Sequence, residues 1–254
     1  MKKIYLVFFI SLLAFSTNAQ DAPSVKLHSH NDYLRNVPFW EAFAVNAASI
    51  EVDVILQGDQ LMVAHEVETI RPERTFTSLY LEPIQHAKSL KLIEDFNFIL
   101  LVDFKTAAYA TMQALLEDLK PFEHLLYSAN NPTGLRLVIS GNRPKPSDYV
   151  NYPEYLFFDY QSKTLDSSLP WQKIAMVSLS FRQFSDWNGK GSMVEEEKKD
   201  LEDFILHVHS FDRPVRFWAA PDTKSAWKAF FDMGVDYINT DKPYEDNSYL
   251  LKLP

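Results

Sequence analysis

The run Phe98-Ile99-Leu100-Leu101-Val102-Asp103-Phe104 constrains this chain more than any other stretch. A strand with one face in water alternates apolar and polar residues. A near-continuous apolar run fits a strand covered on both faces, the usual condition of a parallel sheet. Ser49–Leu56, Leu135–Ser140, Tyr155–Phe158, Ala175–Leu179, Val215–Ala219 and Val235–Asn239 read as further strands. Val25–Ser29 precedes them, and Leu61–His65 is a short extended piece. Between them lie stretches of helical period: Phe39–Ala47 behind Pro38, Leu79–Leu90, Ala107–Leu119, Met193–His209 and Thr223–Met233, the last stopped by Gly234. Strands alternating with helices imply βαβ units. The strand count, close to eight, points to an α/β fold of the (β/α)8 TIM-barrel type, with an open doubly wound sheet as the alternative. Thr164–Trp171 shows no clear helix, so the barrel is expected to be irregular in the region 160–172.

The N-terminal segment is read separately. Lys2 and Lys3 precede an apolar run, Ile4–Phe15, and the small residues Ser16-Thr17-Asn18-Ala19 follow. This is the pattern of a secretory signal peptide, residues 1–19, with cleavage near Ala19. The run is shorter than the roughly 20 residues that span a bilayer. The expected product is an exported protein, periplasmic or secreted, with residues 20–254 forming one barrel domain. It has no cysteine, so neither disulfides nor thiolate ligands are available, and any metal must be held by oxygen or imidazole. The formal charge of −9 argues against a nucleic-acid partner. No later apolar run is long enough for stable membrane insertion, and with only 6 glycines there is no Gly-rich phosphate loop.

Side chains two residues apart on a strand point the same way. Three predicted strands end in such polar pairs: His28 and His30, Glu51 and Asp53, Asp103 and Lys105; His65 ends the next extended piece. Each pair alone is commonplace, since a carboxylate at a strand end is usually solvated or caps a helix. In a parallel barrel, however, all strand ends converge on one mouth. Glu51 and Asp53 are interleaved with Ile50, Val52 and Val54, where unpaired carboxylates would cost several kcal/mol. A hard cation such as Ca2+ or Mg2+ would remove that cost. Histidines titrate near neutral pH and suit proton transfer. Trp218, in Arg-Phe-Trp-Ala-Ala, either packs in the core or lines a pocket for an alcohol or sugar. Arg143 either contacts phosphate or faces solvent. His207 and His209 point apart on a helix and read as surface residues.

Four segments in order carry a family resemblance. Ser29-His30-Asn31-Asp32-Tyr33 resembles the end of the first strand in phosphatidylinositol-specific phospholipase C barrels. Glu51-Val52-Asp53 followed by Val63-Ala64-His65-Glu66 resembles a run shared by glycerophosphodiester phosphodiesterases. Leu101-Val102-Asp103-Phe104-Lys105 resembles a later strand of theirs, with Asp in place of Glu, and Gly234–Pro243 resembles their closing motif. The chain is similar to a divergent member of that superfamily over residues 25–243. The resemblance implies His30 and His65 as catalytic residues, and Asn31, Glu51, Asp53 and Asp103 as metal ligands. It also implies Lys105 beside the phosphate of a small-molecule phosphodiester. His28 is the alternative first histidine and a further phosphate contact. The Arg that usually follows the first histidine has no counterpart beside His30.

Two other readings stand beside this one. His28-Ser29-His30 also resembles the H-x-H opening of transition-metal amidohydrolases and histidinol-phosphatase-like phosphoesterases, which need further His ligands. A non-catalytic ligand-binding barrel is the other, suggested by Asp103 and by the missing Arg.

Overall fold

The computed structural model describes residues 26–253. The expected signal peptide lies outside the described residues. Among them, no helix is long and apolar enough to cross a membrane.

Nine strands form one sheet: β1 (Lys26–Ser29), β2 (Ser49–Gln57), β3 (Gln60–Val63), β4 (Ile99–Phe104), β5 (Arg136–Gly141), β6 (Leu156–Tyr160), β7 (Ile174–Ser180), β8 (Val215–Trp218) and β9 (Tyr237–Thr240). The order is β1-β9-β8-β7-β6-β5-β4-β2, and pairing of β1 with β2 closes the ring. All eight of these strands are parallel; β3 folds back on β2 as an antiparallel hairpin. The closed barrel is therefore the architecture, and the open doubly wound alternative falls.

The helices are α1 (Trp40–Ala44), α2 (Glu82–Ser89), α3 (Ala108–Leu119), α4 (Glu195–His209), α5 (Lys224–Met233) and α6 (Pro243–Leu250). Their apolar faces cover the outward side chains of the strands in two clusters. One centres on Val52, Leu100 and Val102 with α2 and α3, the other on Val177, Val215 and Phe217 with α4 and α5. The expected irregularity is present. Neither β5–β6 nor β6–β7 is connected by an α-helix. A short 3-10 turn, Pro146–Asn151, serves after β5, and its Tyr149 stacks on Phe158 of β6 with ring centroids 3.6 Å apart. A single aromatic ring thus covers sheet that a helix covers elsewhere.

The barrel interior is layered. Leu101, Val138, Met176 and Tyr237 point inward near the strand starts and fill the floor with apolar atoms. Above them, at the next inward positions, lie His28, Glu51, Ser140, Asp159, Ser178 and Arg216, all buried. This polar layer separates the floor from the mouth.

α5 is capped as its sequence demands: Thr223 Oγ1 accepts from the Ala226 amide, and Gly234 takes the left-handed conformation at φ 84°. Against this end packs α6, whose Asp246 is fully buried with no partner for either carboxylate oxygen. Burial, and then the neighbouring charge of Asp222, push its pKa up to about 8. The folded protein therefore holds a proton that the unfolded chain, with an ordinary Asp pKa near 3.9, has released. Stability is predicted to fall as pH rises from about 4 to about 8, by up to about 1.4 kcal/mol per pH unit. Urea unfolding across this range should show that slope, and Asp246→Asn should flatten it.

Candidate active site

Period-2 alternation on β2 turns Ser49, Glu51 and Asp53 into the barrel, and on β4 it turns Leu101 and Asp103 the same way. The parallel register sets Asp53 beside Asp103. One oxygen each of Glu51, Asp53 and Asp103 can be chosen so that all lie within 4.8 Å of one another. Like charges so close are costly in a desolvated site. Burial pushes the Asp103 pKa up to about 6; Lys105 pulls it down, and Glu51 and Asp53 add to the rise. Lys105 Nζ lies 3.2 Å from both Asp53 Oδ2 and Asp103 Oδ1. Asp53 Oδ1 is buried and has no partner among the described residues. Three carboxylates with one orphaned oxygen are a donor set suited to a hard divalent cation, so these residues fit the metal that the family resemblance implies.

Two imidazole–carboxylate pairs flank the cluster. His30 Nδ1 is 2.9 Å from Asp241 Oδ1, and its Nε2 is 3.8 Å from Glu51 Oε2. Burial alone would lower the His30 pKa, but the Asp241 hydrogen bond and the Glu51 and Asp241 charges outweigh it and raise it. His65 Nδ1 is 2.6 Å from Asp53 Oδ2, and the ring is more than half exposed at the mouth. In both histidines Nδ1 is taken by a carboxylate, which leaves Nε2 for a substrate proton. Tyr33 donates to Asp53 Oδ2 at 2.8 Å; burial and the surrounding carboxylates push its pKa well up, so it remains a donor. Asn31, in the left-handed region at φ 49°, donates through Nδ2 to Asp241, and its Oδ1 lies 3.2 Å from the Tyr33 hydroxyl oxygen.

These groups open into a cavity of about 420 Å³ that His30, Asn31, Glu51, Asp53, His65, Asp103, Lys105 and Trp218 line together. Trp218 is thus at the cavity wall, 38 % exposed, rather than in the core.

His28 departs from its expected place. It is fully buried beneath the cavity, with Nδ1 2.7 Å from Ser49 Oγ and Nε2 2.8 Å from Glu51 Oε2. Burial, reinforced by the Arg216 charge, lowers its pKa to about 4. With both nitrogens committed beneath the cavity, His28 orients Glu51, and of the two histidines only His30 lines the cavity. The H-x-H alternative loses a ligand by the same geometry. Glu51 itself stays ionised: burial opposes this, but the His28 hydrogen bond and the His30 and Arg216 charges hold its pKa below the usual range. Arg143 is turned to Gly141 O and Gln161 Oε1. His209 is paired with Asp236 at 2.8 Å, an anchor between α4 and the start of β9 rather than a free surface residue.

Sequence reasoning missed two contributors. Asp241 sits in the closing motif, but its partner His30 is 211 residues away and becomes a neighbour only when β1 pairs with β9. Arg216 lines the same cavity and stands two residues before Trp218 on β8, so the same-side rule was a signal for it.

Residues 16–97 match the AIM6-like phosphodiesterase domain, and residues 214–244 match the glycerophosphoryl diester phosphodiesterase family. Solved glycerophosphodiester phosphodiesterases share the fold. The enzyme from Parabacteroides distasonis superposes with a TM-score of 0.59 at 15% identity, over 90% of this chain and 98% of that one. The Agrobacterium tumefaciens enzyme gives 0.51 at 13% identity, over 88% and 99%. In these two segments and in its fold the chain is similar to the glycerophosphodiester phosphodiesterases. Among curated proteins it is similar to Altered inheritance of mitochondria protein 6 of Eremothecium gossypii, 27% identical over 87% of this chain and 69% of that protein. A homolog of that protein in Arthroderma benhamiae is 44% identical over 68 residues, 24% of this chain and 22% of its own.

Gly141 ties backbone to site. At φ +64° it occupies a conformation that disfavours side chains, and an added Cβ would stand 2.1 Å from Asp103 Oδ1 and 2.5 Å from Phe104 O. Gly141→Ala is predicted to displace Asp103, weaken divalent-cation binding in calorimetry by at least about tenfold, and cost about 1–3 kcal/mol of stability.

Proposed function

We propose that this protein hydrolyses phosphodiesters of the glycerophosphodiester or phosphoinositide-like class, with His30 and His65 as the proton-transfer pair. The observation that carries the reading is the pair of imidazoles, each held at Nδ1 by a carboxylate, on one cavity with Lys105 and three clustered acids.

In this mechanism His30 Nε2 takes the proton of the attacking hydroxyl, and Asp241 stabilises the imidazolium that forms. The oxygen–phosphorus bond to the attacker forms as the bond to the leaving alcohol breaks. His65, oriented by Asp53, gives its Nε2 proton to the departing alkoxide. Lys105 offsets negative charge on the phosphoryl group. A divalent cation, Ca2+ or Mg2+, held by Glu51, Asp53 and Asp103, with Asn31 close by, would supply further positive charge when bound. If the attacker is a hydroxyl of the substrate, a cyclic phosphate forms first, and water opens it with the histidine roles reversed. Trp218 offers an aromatic face to the alcohol portion.

General acid–base partners contribute about 10²- to 10⁴-fold each. His30→Ala and His65→Ala are therefore predicted to lower kcat on a cleavable glycerophosphodiester by that factor while leaving the melting temperature near wild type. Chelation should abolish turnover, and Ca2+ or Mg2+ should restore it. Unchanged turnover in folded His30→Ala protein would remove the reading.

A further inference from the structure

We infer that Arg216 is a substrate-contacting residue, the guanidinium that takes the anionic phosphoryl oxygen from the side of the barrel facing Lys105. This inference rests on the phosphodiester reading above and adds to it a residue that the family motifs do not supply.

Position is the first argument. In the closed order of eight strands, β8 and β4 are four strands apart in either direction. Arg216 and Lys105 thus project from opposite walls into the same cavity. A phosphodiester entering it meets three carboxylates, so its single negative charge needs cations nearby. Lys105 is already engaged by Asp53 and Asp103, and the position beside His30 holds Asn31 rather than a basic residue. Arg216 is the remaining Lys or Arg side chain on the cavity lining.

Fixation is the second argument. Arg216 is 2 % exposed, and its shortest contacts are to neutral partners. Nε donates to Ser178 Oγ at 3.1 Å, and Nη1 donates to Asn239 Oδ1 at 2.9 Å and lies 2.6 Å from His28 Nε2. Carboxylates stand further off: Glu51 Oε2 accepts a longer bond from Nη1 at 3.4 Å, and Asp159 Oδ2 is 3.6 Å from Nη2. Asp159 Oδ2 already accepts from Ser140 and Gln161, at 2.9 and 3.0 Å, while its Oδ1 has no partner among the described residues. Nη2 therefore has no acceptor within hydrogen-bond range among the described residues. With Nε held by Ser178 and Nη1 by Asn239, the plane of the guanidinium is fixed and Nη2 is left as the donor for an oxyanion. A plain internal counter-charge would instead direct Nη2 into a carboxylate at about 2.8 Å.

The test uses the full chain with Arg216→Gln and Arg216→Lys. Binding of sn-glycerol 3-phosphate and of uncharged glycerol is followed by calorimetry beside kcat, KM and thermal melts. Arg216→Gln is expected to weaken glycerol phosphate binding at least about tenfold and to lower kcat about 10²- to 10³-fold, the loss typical of one oxyanion donor. Glycerol binding should not move. Arg216→Lys keeps the charge but loses the fork, and should still lower kcat at least about tenfold; it decides the matter if the Gln variant does not fold. A folded Arg216→Lys protein with wild-type kcat and glycerol phosphate affinity overturns the assignment and leaves the phosphodiester reading intact. If wild-type protein neither binds glycerol phosphate nor cleaves any diester, the reading itself falls, and this inference with it.

Discussion

The structure depends on keeping carboxylates ionised inside a closed barrel. Glu51 and Asp53 are at most 4 % exposed, and isolated charges there would be expelled or protonated. They persist because partners gather from around the barrel: His28 and Tyr33 from the first βα unit, Lys105 from beyond β4, Arg216 from β8. One carboxylate gives way, with Asp103 raised to about 6, and one oxygen of Asp53 is left over. An arrangement so close to electrostatic failure is poorly explained as scaffolding. It is well explained as a site awaiting positive charge.

Burial divides the labour between the two histidines of His28-Ser29-His30. They share one strand face, yet one lies in the polar layer under the cavity and the other at its rim. His28 is held neutral and serves Glu51. His30, at the strand end, escapes full burial and acquires Asp241. A single step of about 7 Å along a strand thus separates a residue that orients from a residue that can exchange protons.

Much of the fold was legible because doubly buried strands leave long apolar runs: Phe98–Phe104 announces β4, and Gly234 announces the end of α5. Legibility failed where local signals were overruled. The expected helix Phe39–Ala47 shrinks to Trp40–Ala44 because Phe39 and Asn46 both take positive φ, Phe39 being pinned by its amide's bond to Asp32. α6 was not foreseen, since its Pro-Tyr-Glu-Asp-Asn-Ser sequence has little apolar periodicity and it is held by packing on β1 and α5. The expected helix start at Leu79 hides a wider π-type turn, Thr77–Leu81. At the site, the strand-end pairs could be read from alternation. The Asp241–His30 pair could not, because ring closure creates that proximity and no local pattern records it.

The apolar floor formed by Leu101, Val138, Met176 and Tyr237 has a kinetic meaning. It blocks the far end of the barrel, so the chamber is a cul-de-sac with one doorway. A ligand in it enters and leaves on the side where Trp218 stands, so a bulky occupant would bar the way to its own replacement.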